Sequence, residues 1–236
     1  MAPSLRPEAA LAPPAFRRAA VSSIALQLVA FDSRSHRLVV VDQPAGPGSR
    51  WPDGAAAAAS AGAVAAINGG FFTPEGAPLG LVIAAGSRRG SWNRGSSLTS
   101  GCYLEGPSRA PALARSTAVD PAAPPLSTLL QSGPFLVEDA RPVAGLEAGR
   151  VRPRSLVAWD GGRCWLIAVT SPCTLASLAE ALAGSSPAGW PVRHALNLDG
   201  GRSSELWVAA TVAGGPVAHR PPLNRPVRNF LVLVPR

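Results

Sequence analysis

Two glycine-rich corners hold the residues best suited to chemistry. Asn68-Gly69-Gly70-Phe71-Phe72 and Asn197-Leu198-Asp199-Gly200-Gly201-Arg202-Ser203-Ser204 each follow a short apolar run and open on an amide. Paired glycines admit positive φ and let a ligand come close to the backbone. They also leave N–H groups that can face an anion. The same residues suit two ordinary hairpin turns. The chain has only 14 acidic residues, which shortens the search for a reacting carboxylate. Asp199 is the best placed, between a short strand and a glycine pair; Glu205 and Asp160 are weaker candidates. A carboxylate can stabilise positive charge growing at an anomeric carbon, or activate water there. A phosphate leaving group needs its charge neutralised more than it needs a proton, and the planar fork of arginine does that. Arg154, just before an apolar run, is the leading phosphate binder.

Elements must hold these residues in place. Ile24 to Phe31 and Arg37 to Val41 are apolar and partly alternating around Asp32–His36, which predicts a hairpin. Ala55 to Ala66 is alanine-dominated with Asp53 as a cap, which predicts a short helix. Residues 105–125 hold five prolines and read as a loop. Leu129 to Val137 reads as one strand. Ser155 to Trp159 and Cys164 to Thr170 flank Asp160-Gly161-Gly162, a hairpin signal. Thr174 to Ala183 has its apolar residues on one helical face. Ala195 to Leu198 and Phe230 to Val234 are further strands. Many strands with two helices predict an α+β domain of mostly antiparallel or mixed sheet, over residues 21–236, with residues 1–20 as a mobile arm.

Length and composition set outer bounds. With 236 residues, 47% of them hydrophobic and 15% charged, the chain is long enough for one sizeable core. Lysine is absent, so all 22 basic residues are arginine, a bias expected of a GC-rich bacterial genome. The net charge is +8, but no basic block or aromatic-interleaved stripe points to nucleic acid. Three cysteines form no disulfide framework and no zinc spacing, so free thiols are expected. No apolar run is long enough to span a membrane, and no secretion signal is readable. The chain as it stands therefore reads as cytoplasmic, and as periplasmic or secreted if a leader has been removed. Oligomeric state is not readable.

Five segments in order, "AINGGFFTPEGAPLGLVIAAG", "LLQSGPFLV", "RPRSLVAWDGGRCWLIAV" followed by "TLASLAEAL", "ALNLDGGRSSELWV" and "RPVRNFLVLV", resemble the phosphodiester glycosidase domain family over most of residues 65–234. The resemblance implies hydrolysis of a glycosyl-1-phosphodiester, with a carbohydrate phosphate or glycan as partner. It implies that Asn68, Gly69, Gly70, Gln131, Gly133, Arg154, Asn197, Asp199, Gly200, Gly201 and Ser203 line the pocket. In this reading Asp199, Arg154 and Asn68 do the chemistry. Arg154 and the glycine-turn N–H groups hold phosphate, while Asn68, Asn197 and Gln131 orient sugar hydroxyls or water. Arg202 stands where the family has a small residue and is not assigned a role. A divalent cation, calcium or magnesium, is left open. The competing reading on the same fold is a non-catalytic glycan or exopolysaccharide-binding module that uses some of the six tryptophans as stacking surfaces.

Overall fold

Alternation along the strands decides which faces are buried. In Ile24–Asp32 the residues Ile24, Leu26 and Leu28 enter one apolar cluster, while Val29 and Phe31 enter another. Cys164–Thr170 divides in the same way, with Leu166 and Ala168 on one side and Trp165, Ile167 and Val169 on the other. A strand covered on both faces belongs inside a layered domain. The computed structural model describes residues 12–122 and 125–236. In chain order its strands are β1 (Ala15–Val21), β2 (Ile24–Asp32), β3 (His36–Asp42), β4 (Ala65–Asn68), β5 (Val82–Ala84), β6 (Ser87–Arg89), β7 (Gly101–Gly106), β8 (Arg109–Arg115), β9 (Thr128–Ser132), β10 (Phe135–Glu138), β11 (Arg141–Pro142), β12 (Ser155–Trp159), β13 (Cys164–Thr170), β14 (His194–Asn197), β15 (Leu206–Val208), β16 (Val217–His219) and β17 (Asn229–Pro235). The helices are α1 (Gly54–Ala61) and α2 (Leu175–Leu182).

These strands form three sheets, ordered β1-β2-β13-β12-β14-β10-β11, β16-β15-β4-β17-β3 and β6-β5-β9-β7-β8. The described strand pairs are antiparallel, so the α+β reading with mostly antiparallel sheet holds. All three sheets turn one face to a shared core that includes Val29, Leu38, Ile67, Tyr103, Leu130, Ile167 and Leu231. Helix α2 covers the outer face of the first sheet through Leu175, Leu178 and Leu182. Helix α1 covers the outer face of the second, where Ala57 and Ala58 meet Phe230 and Val232. Among the described residues no helix is long and apolar enough to cross a membrane. The three cysteines are free.

Several local expectations fail for identifiable reasons. Residues 15–20, read as part of a mobile arm, are in β1, which pairs with β2 from Ala15↔Ala30 to Val21↔Ile24. Residues 1–11 lie outside the described residues. Because β1 and β13 occupy both edges of β2, β2 does not pair with β3; β3 pairs with β17 in another sheet. Helix α1 starts on the Asp53 cap, whose side chain accepts from Ala56 N, but it stops at Gly62, whose φ of 62° turns the chain. Ala65 and Ala66 then pair with Leu233 and Val232, so tertiary pairing overrides alanine's helix preference. The stretch from Leu129 to Val137 is two strands in two sheets, interrupted at Gly133-Pro134, where the proline has no N–H to donate. Much of the proline-rich stretch from residue 105 is a β7–β8 hairpin.

Candidate active site

The two glycine corners meet. Strand β4 ends on Asn68 and strand β14 ends on Asn197, in neighbouring sheets. The backbone N–H of Asp199 donates to Gly69 O at 3.0 Å, and Asn68 Nδ2 donates to Asp199 O at 2.6 Å. Ser155, at the start of β12, donates from Oγ to Asn68 Oδ1 at 2.7 Å, and Glu205 N donates to the same oxygen at 3.1 Å. Leu198 N and Gly201 N bond to Ser155 O and Pro153 O, both at 2.8 Å. Residues 68–70, 153–155 and 197–201 are thereby stitched into one wall.

That wall borders a cleft of about 720 Å³. Asp199, Arg154, Asn197 and Gly200 line it, with Phe71, Leu98, Leu146 and Leu175 as its apolar sides. Asp199 is only 8% exposed. Its Oδ1 accepts from Gly200 N at 2.9 Å. Burial raises its carboxyl above the ordinary range, against the pull of the Ser203 hydroxyl, Arg225 and the Gly200 N–H. A carboxyl tuned upward is suited to proton transfer. Arg154 is held by Nε donating to Cys173 O at 3.1 Å and by Nη2 donating to Arg150 O at 2.5 Å, with Glu147 Oε2 3.8 Å away. Burial and the nearby Arg152 lower its pKa; Glu147 and Cys173 oppose this. Asn197 Nδ2 donates to Gly133 O and Leu198 O, while its buried Oδ1 has no partner among the described residues. A buried acceptor beside the cleft is a ready partner for a hydroxyl donor.

The remaining predicted residues sit behind the wall. Asn68 is fully buried and its amide is committed to Asp199 O, Ser155 and Glu205, so it braces the corners and does not reach into the cleft. Gly69 N and Gly70 N donate to Asn229 O and Asn229 Oδ1, while Gly200 N and Gly201 N are taken by Asp199 and Pro153. The four glycine N–H groups are therefore taken within the fold and are not free to face an anion. Gly201 alone of the four has a positive φ, at 64°. Gly69 is needed for close approach, since a Cβ there would lie 2.1 Å from Asn229 Oδ1. Gln131 is buried among backbone groups: it accepts from Leu81 N and Asn93 N and donates to Asn93 O and Thr99 O. It shapes the loop that carries Ser97 and Leu98 into the cleft. Gly133 supplies only a carbonyl to Asn197, and a Cβ at Gly133 would strike Ser97 O. Ser203 is buried beside the Asp199 carboxyl.

Neither weaker acid faces the cleft. Asp160 Oδ1 accepts from Gly162 N and Cys164 N in the hairpin turn. Glu205 points to the start of α1 and pairs with Arg220 at 3.1 Å. Glu147, Arg150 and Arg152, which do line the cleft, were not singled out from sequence. The only signal for the two arginines was their alternate spacing with Arg154 in an extended segment. None of the six tryptophans lines the cleft, so the stacking platform of the binding-module reading is missing there. Among the described residues no group of three or more His, Cys, Asp or Glu converges.

The model of the family described as phosphodiester glycosidase matches residues 61–234. No curated protein matches the chain. Among solved structures, the zebrafish N-acetylglucosamine-1-phosphodiester alpha-N-acetylglucosaminidase catalytic domain, auto-inhibited by its pro-peptide, is similar with a TM-score of 0.65 and 16% identity, over 94% of this chain and 82% of that one. A hypothetical protein from Synechocystis has a TM-score of 0.60 and 17% identity, over 94% of this chain and 61% of that one. A protein from Burkholderia pseudomallei has a TM-score of 0.57 and 15% identity, over 90% and 74%. At these identities the likeness is one of fold.

Proposed function

The chain belongs to the phosphodiester glycosidase family, and from that premise we propose that it hydrolyses a glycosyl-1-phosphodiester in the cleft at Asp199 and Arg154. The observation that carries this reading is the sharing of one cleft by a buried carboxyl and a guanidinium that lie 45 positions apart in sequence. Arg154 neutralises the phosphate as the bond from the anomeric carbon to its phosphate oxygen breaks. Asp199 faces the positive charge that grows on that carbon and takes a proton from the attacking water. Water oxygen bonds to the anomeric carbon, and the phosphate monoester leaves with the bonding electron pair. Asn197 Oδ1 accepts from a sugar hydroxyl. Asn68 acts as a positioning residue, through its bond to the Asp199 carbonyl.

The sugar-phosphate group in the zebrafish relative's name supplies a test substrate, the methyl phosphodiester of N-acetylglucosamine 1-phosphate. Asp199→Asn keeps the side-chain shape and removes the base. Its kcat should fall by about 10²–10³, the usual loss for one preorganised group aimed at the transition state, while its melting temperature stays near wild type. Release of sugar by wild type and equal turnover by the variant would overturn the assignment of Asp199. Saturable binding with no turnover by wild type would favour the glycan-binding module.

A further inference from the structure

Residues 150, 152 and 154 alternate along an extended segment, and all three arginines line the same cleft. They are not equivalent. Arg154 is 8% exposed, bonded to two carbonyls and faced by Glu147. Arg150 and Arg152 are exposed at the rim. Arg150 engages its neighbours through its backbone, its N–H donating to Glu147 Oε1 and its carbonyl accepting from Arg154. Arg152 bonds to Cys173 through its backbone N–H and carbonyl. Among the described residues neither rim guanidinium has a carboxylate or carbonyl partner. The Arg152 side chain lies over the second glycine turn, with its Cδ and Nη1 at 3.7 Å and 3.9 Å from where a Cβ on Gly201 would stand.

Three arginines line this cleft, and Glu147 offsets one of them. Like charges held together this way cost free energy unless an anion sits among them, and Arg152 already works against the charge on Arg154. A glycosyl-1-phosphodiester with a neutral alcohol brings a single negative charge, which Arg154 can meet. Glu147 and that phosphate are both set against Arg154, so one net positive charge is left, on the two guanidiniums of Arg152 and Arg150, one and two alternate positions nearer the rim. Alternate residues of an extended chain are roughly 6.5 Å apart. A second anionic group further along the leaving alcohol would fall between the Arg150 and Arg152 side chains.

We propose that Arg150 and Arg152 form a second anion subsite, so that the preferred substrate carries a further phosphate on the alcohol released from the scissile phosphodiester. This rests on the phosphodiester glycosidase reading above for its chemistry, but not for its binding. Successive sugars joined through phosphates, or an alcohol ending in a phosphomonoester, would both present that group.

Two probes with the same sugar separate these ideas. One is the methyl diester of N-acetylglucosamine 1-phosphate. The other is its diester with 2-hydroxyethyl phosphate, which adds one phosphate. Binding to the Asp199→Asn variant is read by calorimetry, and kcat/KM is read with wild type. The phosphoethyl probe should bind at least tenfold tighter than the methyl probe, and its gain in kcat/KM should appear in KM. Adding Arg150→Ala and Arg152→Ala should bring the ratio between probes close to one. Adding Arg88→Ala and Arg89→Ala, an equal loss of charge on strand β6 away from the cleft, should leave the ratio in place. Equal binding of the two probes would overturn the subsite even if both are hydrolysed. Loss of the ratio in the Arg88/Arg89 variant would overturn it too, since overall charge would then explain the preference. If wild type cleaves neither probe but the Arg150/Arg152-dependent ratio persists in binding, the subsite stands and the hydrolytic reading fails.

Discussion

Asn68 and Glu205 are neighbours whose side chains serve different ends. Asn68 makes three hydrogen bonds, to residues 87, 131 and 137 positions away along the chain, and its removal would leave buried polar groups unpaired. Glu205 gives its backbone N–H to Asn68 and sends its carboxyl away from the cleft, toward Arg220 and the start of α1. Burial, joined by the Asp53 carboxylate, pushes that carboxyl up to about 7, against the pull of Arg220 and the Gly54 N–H. The sign of the consequence follows from proton counting. Between the ordinary glutamate value of 4.5 and about 7, the folded chain keeps a proton that the unfolded chain has released, so this group's contribution makes the fold less stable as pH rises. Glu205→Gln mimics the protonated form. Its stability relative to wild type should grow by about 2 kcal/mol between pH 5 and pH 8, as measured by denaturant unfolding at both values. A difference that does not change with pH would mean that Glu205 is ionised throughout.

At the scale of elements, the site depends on where strands end. Leu156 pairs with Asn197 and Leu196 pairs with Phe135, so the start of β12, the end of β14 and the start of β10 lie at one edge of the first sheet. Strand β1 is far from that edge in function, but it closes the sheet on the other side of β2. Seven residue pairs join β1 to β2, and Phe16 N also bonds to Ala213 O. Removal of residues 1–21 would leave β2 as an open edge with its N–H and C=O groups unpaired, a template for association. Compared with a chain shortened only to Ala12, that truncation should cost at least about 3 kcal/mol, or roughly 6–12 °C in melting temperature. Light scattering should show concentration-dependent association. Equal melting of the two chains would show that β1 adds nothing to the first sheet's stability.

Across the whole molecule, three sheets share one core and bring their ends to a single cleft. The chain carries a net charge of +8, with arginine in every position of permanent positive side-chain charge. Such a field draws an anionic substrate in and is screened by salt over a Debye length of about 10 Å at 0.1 M. The kcat/KM for the methyl phosphodiester should therefore fall several-fold between 50 mM and 500 mM sodium chloride, with kcat changing little. Flat kcat/KM across that range would remove long-range attraction from the account.

Much of this was readable along the chain. The Asp160-Gly161-Gly162 hairpin, the Thr174 cap of α2 and the two glycine corners follow from local spacing and turn chemistry, while a pocket shared by Asp199 and Arg154 was implied by the order of the family's motifs. Those signals are short-range or carried by residue type, so they survive without knowledge of contacts. The partner of each strand, the end of α1 and the division of residues 129–137 between two sheets were decided by pairing with distant segments such as β13 and β17. The same holds inside the site. Whether Asn68 or Gln131 faces a ligand depends on which backbone groups surround its amide, and those come from residues tens to more than a hundred positions away. Glu147, Arg150 and Arg152 are ordinary surface residues by type, and only the folding of their segment over Asp199 and Gly201 makes them part of a cleft.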